Sequence, residues 1–155
     1  MNALIYCKLR FGKWGNDMPI KNYTTKISAV QTASEIQVHL ALHGASKVMM
    51  DYKEGKVQSV SFAIETSRGL QGVKLPANVD RVFAVLKKQK VKCDLDQAER
   101  VAWRIVKDWI EAQMAILETE MVQMEEIFLP YFVSNSGQTL FEVYQQGQLQ
   151  IGGRE

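Results

Sequence analysis

The sequence predicts an α+β fold: a three- to four-stranded antiparallel sheet covered by helices, with one long C-terminal helix. Three observations carry that reading. Residues 46–76 alternate apolar and polar positions in short runs broken by turn residues, the period-2 signature of strands. Stretches on either side repeat apolar residues at i, i+3, i+4 and i+7 instead, as in Val79, Val82, Phe83 and Leu86. Third, the stretch 94–129 contains neither glycine nor proline until Pro130. At ~1.5 Å per residue it would make one helix of about 50 Å. Strands grouped together, with helices before and after, give a sheet layered with helices rather than alternating β–α units.

Taken in order, residues 1–21 read as an arm or extension, with Tyr6, Phe11 and Trp14 set among Lys8, Arg10 and Lys13. The β-branched run YTTKI predicts a strand to about Ile27. A helix follows, with Thr32 and Glu35 at capping-box spacing, an apolar face of Ile36, Val38, Leu40, Ala41 and Leu42, and Gly44 at the C′ position. SKVMMDY, VQSVSFAIET and LQGVKL are the three strands, turned by KEGK and SRG. Val60, Phe62 and Ile64 face the core in this reading, and Ser59 and Ser61 face outward. The strand LQGVKL stops at Pro76, and a second helix spans 78–88. The basic linker KKQKVK leads into the long helix, opened by Asp94 and Gln97. Residues 22–133 form a single domain on this reading, and 134–155 a C-terminal tail with a short helical turn near Leu140.

The long stretch carries two apolar stripes roughly 120° apart. Ala98, Ala102, Ile105, Trp109, Ala112 and Ile116 form one; Trp103, Val106, Ile110, Met114, Leu117, Met121, Met124 and Phe128 form the other. Only the second stripe continues past Glu120. The expectation is therefore an overhanging helix whose Met114, Leu117, Met121, Met124 and Phe128 bury against another copy, making a homo-oligomer. The third face runs basic first (Arg100, Arg104, Lys107) and acidic later (Glu118, Glu125), against the preference of the helix dipole. A solvated face, an antiparallel helix pair or an anion clamp would each account for that order. With Lys88 and Lys90 ending the preceding helix, Arg100, Arg104 and Lys107 make up a candidate anion-binding set.

Composition bounds the rest. The 155 residues are 46% hydrophobic and 23% charged with a net charge of +2, an ordinary globular balance. No apolar run is long enough for a membrane span, and the opening residues lack a cleavable leader pattern, so a cytoplasmic protein is expected. Cys7 and Cys93 read as free thiols. His39 and His43 have half-site spacing for zinc, but Leu40 stands where the metalloprotease motif needs glutamate and no third ligand is evident. With no nucleophile elbow, Cys–His pair or phosphate loop, the expectation is a non-enzyme with no metal and no cofactor.

The segments NYTTKI, EIQVHLALHGASKVMMDY and above all ERVAWRIVKDWIEAQMAILETEMVQMEEIFLPY resemble a family of small uncharacterised proteins encoded by phages and prophages of Gram-positive bacteria. The resemblance covers about 22–144; the opening segment departs from it, since relatives start close to the NYTT motif. It implies a setting in the host-cell cytoplasm and carries no site residues. The order helix, three strands, helix also looks like a double-stranded-RNA-binding domain, without that domain's lysine motif at the last helix. The functional expectation is a non-catalytic oligomeric binding protein, a counter-defence sponge for a phosphate-bearing nucleotide signal. The alternatives are a nucleic-acid-binding accessory of phage replication or recombination, and a protein inhibitor of a host enzyme.

Overall fold

A computed structural model describes residues 18–149. The elements are α1 (Ala29–Leu42), β1 (Lys47–Lys53), β2 (Lys56–Thr66), β3 (Gly69–Pro76), α2 (Val79–Lys88), α3 (Leu95–Glu118), α4 (Met124–Phe128) and α5 (Leu140–Gln145), with a 3₁₀ turn at Leu129–Tyr131 between the last two. Most of the arm expected over 1–21, and the last six residues of the tail, lie outside the described residues.

The three strands form one antiparallel sheet in the order β1-β2-β3. Glu54 and Gly55, with φ of +51° and +76°, make the two-residue turn whose twist matches its strands. The register slips between Asp51 and Tyr52, so Tyr52 pairs with Val57 while Asp51 pairs with Ser59. That bulge turns Val57 onto the same buried side as Val60, Phe62 and Ile64, which strict alternation would forbid. Ser59 does not reach solvent as expected; it is buried and its hydroxyl donates to the Asp51 carboxylate.

α1 and α3 lie side by side under the sheet, and α2 packs on the far side of α3. Two-sided burial of α3 is what its two stripes require. Trp103, Ile110 and Met114 enter the main core with Ile36, Val60 and Val73, and the Trp103 indole N–H donates to the Val57 carbonyl at 3.3 Å. Ala98 and Val101 close a second cluster with Leu86.

The structure corrects the sequence reading of three elements. The segment 23–27 is not a strand: Asn22 sits at φ +65°, Thr25 N–H bonds back to its carbonyl, and Gln97 of α3 donates to the carbonyls of Tyr23 and Thr25. Helix α1 starts at Ser28, whose hydroxyl accepts from Gln31 N–H, and Thr32 is buried one turn inside it. The long helix stops at Glu118. Thr119 caps it, Glu120 turns at φ +57°, and α4 opens on a Gln123/Glu126 capping box. The chain folds back here because Phe128 has a place in its own core, edge-on to Phe62 (centroids 5.2 Å) and to Trp109 (5.7 Å).

The overhang is therefore absent, and most of the residues expected to meet another copy are covered by their own chain. Met114 and Phe128 are core residues of their own chain, Leu117 and Met124 pack partly buried against that core, and Met121 alone stays exposed, at 69%. Packing also continues beyond 133, where Val133 N–H reaches the Gly72 carbonyl and α5 begins on a Thr139/Glu142 capping box.

Candidate functional site

Helix α2 has a single buried face. Leu86 is fully buried and Val79, Val82 and Phe83 are partly so, which leaves Lys87 and Lys88 of its last turn, with Lys90 and Lys92 beyond it, in water. The helix ends with Val91 N–H on the Leu86 carbonyl and Lys90 N–H on the Lys87 carbonyl, each 3.0 Å, with Lys90 at φ +58°. This is a left-handed helix stop, a position glycine takes without the ~1 kcal/mol an L side chain costs there. A lysine occupies it all the same. Lys87 lies over the Phe83 ring at 5.1 Å, and Lys88, Lys90 and Lys92 are exposed and form no ion pair among the described residues.

The other three members of the predicted anion set are otherwise engaged. Arg100 holds Gln97 Oε1, at 2.7 Å from Nη2 and 3.1 Å from Nε. Arg104 pairs with Glu35 of α1 at 2.6 Å. Lys107, 8% exposed, lies 3.7 Å from Glu35 and bonds Glu111 closely. The clamp expected from Arg104 and Lys107 is thus corrected: α1 supplies the carboxylate that an outside anion would have to displace. A basic corner at Lys87–Lys92 remains, and Arg104 and Lys107 belong instead to a polar seam between α1 and α3.

The same seam takes both histidines. His39 lies 3.1 Å from Glu111, and His43 lies 2.9 Å from Glu118 through Nε2 while Nδ1 meets the His39 carbonyl at 2.8 Å. Both neighbours of His43 are acceptors and a neutral imidazole has one N–H, so the geometry favours the protonated ring. The Glu118 hydrogen bond, then that of the His39 carbonyl, raise its pKa above the ordinary value against the opposing effect of burial. A raised pKa means stability fully present below the unfolded histidine value and lost as pH climbs through the folded one. Denaturant midpoints should fall between pH 6 and 8, by less than ~1 kcal/mol because Glu118 is exposed, and the fall should vanish in His43→Gln. Among the described residues no group of three or more His, Cys, Asp or Glu could hold a metal ion.

Residues 20–25 strap the same side of the molecule. Ile20 N–H donates to Gln89 at 2.9 Å, and Asp108 takes Asn22 at 2.6 Å and Lys21 at 2.9 Å. These anchors carried no sequence signal, because each polar partner sits more than 60 positions away. A cleft of about 700 Å³ opens on the opposite end, between the β2–β3 turn, α4 and the segment 132–140. Arg68, Gln71 and Asn135 line it with Phe132 and Leu140, and Ser67 N–H donates across it to Glu125 at 3.2 Å. Compared with protein-family models, curated proteins and solved structures, the chain matches none.

Proposed function

We propose that the protein is a non-catalytic binding protein that engages a polyanion, nucleic acid in particular, through the lysine corner between α2 and α3. One observation supports this most directly. Lys87, Lys88, Lys90 and Lys92 fall within six positions, exposed at the end of α2 and just beyond it, without carboxylate partners among the described residues, and one of them keeps a backbone conformation better suited to glycine. Lysines spaced this way read phosphates as a row of charges and carry no base information. If the resemblance expected from the sequence to phage and prophage proteins holds, such an activity would belong to phage DNA replication or recombination inside the host cell. The small-ligand sponge has less support than it had on the sequence, because Arg104 and Lys107 of its clamp face Glu35 and the shared helix overhang is absent.

Fluorescence anisotropy of labelled single- and double-stranded oligonucleotides against salt tests the proposal. Three or four phosphate contacts predict log K falling with log salt at a slope of about −3, or somewhat less on single strands. Lys90→Gly should reduce that slope by about 1 and also raise stability by about 0.5–1 kcal/mol, since glycine suits the helix stop. Binding untouched by replacing Lys88, Lys90 and Lys92 together would refute the assignment. Stabilisation by mononucleotides with no response to oligonucleotides would return the argument to the small ligand.

A further inference from the structure

Among the described residues, β1 is paired on one side only, by β2. Its middle, Val48, Met49 and Met50, is apolar, with Lys47 before it and Asp51 after. Beneath that free edge lies the outer side of α1. This helix sets Ala33, Ile36 and Leu40 into the core and turns Glu35 and His39 toward α3. At about 100° per residue, the side opposite α3 carries Val30, Ser34, Gln37 and Ala41, all exposed and none charged. Val38 adjoins it beside Ser34, at 58% exposure. A helix face left to water ordinarily carries charge; this one has none.

We infer that this surface binds a second copy of the chain, β1 pairing antiparallel with the partner's β1 about a two-fold axis at Met49, and α1 packing on the partner's α1 below. The charges select that register. Outward N–H and C=O groups alternate along an edge, so a strand meeting its own copy can shift its axis only in whole residues. With the axis at Met49, Lys47 stands opposite the partner's Asp51 twice over, at the ~5 Å Cβ spacing where opposite charges attract, and Val48 meets the partner's Met50 on the helix side. With the axis at Met50, Lys47 would face the partner's Lys53. With the axis at Val48, Lys47 would face the partner's Met49 and gain nothing. Among the described residues Lys47 has no ion pair and Asp51 accepts only the Ser59 hydroxyl.

The helix layer agrees with the strand layer. α1 packs on both β1 and β2. Strands lie about 4.8 Å apart, so a two-fold axis just outside β1 runs about 5 Å from the line of α1. The two α1 helices then lie about 10 Å apart, the distance of packed helices. Ser34 and Ala41 are small enough to permit that approach. The lysines at the edge thus fix a register instead of blocking pairing, which is the other use of an edge lysine.

Sedimentation equilibrium of the full chain at low salt tests this. The expected result is a dimer, twice the 17.6 kDa of one chain. Lys47→Glu, a change at an exposed side chain, should weaken it by about tenfold or more by opposing like charges in both symmetric pairs. Adding Asp51→Lys should restore it. Ala41→Glu, also on an exposed position, should weaken the dimer through the helix layer with the circular dichroism spectrum unchanged. A chain that remains monomeric at its highest soluble concentration, or a dimer indifferent to both Lys47→Glu and Ala41→Glu, would overturn the inference.

Discussion

Phe128→Ala is expected to lower the free energy of unfolding by about 3–5 kcal/mol, read as a shift of the urea midpoint at constant m. The ring is fully buried and meets Phe62 and Trp109 edge-on, so its removal loses both transfer energy and two aromatic contacts and leaves a cavity. Met121→Ala, seven residues earlier on the same apolar stripe, should change stability by less than about 0.5 kcal/mol because its side chain lies in water. The contrast separates two descriptions of one sequence. If 94–129 were a single rod with both residues presented to a second chain, the two substitutions would have similar small effects on the monomer and similar large effects on association. An equal response from Phe128 and Met121 would therefore show that the chain does not fold back at Thr119.

That break explains where the sequence was readable and where it was not. Strand alternation around Val60, Phe62 and Ile64 and the i, i+3, i+4, i+7 steps from Val79 to Leu86 are local patterns, and the structure places all of these residues in or against its cores. The halt at Glu118 is not local: no glycine or proline marks it, and the cause is a tertiary vacancy beside Trp109 that Phe128 fills. A weak signal did exist, since Gln123 and Glu126 have capping-box spacing and Thr119 and Val122 are β-branched. The start of α1 shows the same limit. Thr32 with Glu35 and Ser28 with Gln31 are both credible openings, and burial of Ala29 and Thr32 decides for the earlier one. At the candidate site the lysine cluster was legible because its four cations fall within six positions. The fate of Arg104 was not, because Glu35 is 69 positions away and only the packing of α1 on α3 brings it to hand.

Glu35→Ala is expected to cost about 2–3 kcal/mol. Breaking a fully buried ion pair costs roughly 3–5 kcal/mol. Glu35 is one-third exposed and Glu111 still serves Lys107, so the loss is smaller; Arg104, mostly buried, is the group left uncompensated. The pH dependence has a fixed sign. Burial by itself would raise the Glu35 pKa, but the Arg104 hydrogen bond and the charges of Arg104 and Lys107 outweigh it and hold the carboxyl below its ordinary value. A depressed pKa contributes stability that is present above the unfolded value and lost as pH falls through the folded one. The difference in stability between wild type and Glu35→Gln should thus be greatest near neutral pH and shrink as pH drops below about 4.5. Asp108, held low by Lys21 and Asn22 against its burial, acts in the same direction in both proteins and cancels from that difference. A difference constant from pH 7 to 3 would mean the carboxylate is not paired. The same variant tests where anions bind. Glu35 competes with any anion for Arg104 and Lys107, so if those two formed the contact, Glu35→Gln would strengthen oligonucleotide binding markedly. With the lysine corner as the contact, affinity at fixed salt should change by less than about threefold, the effect of one unit of net charge.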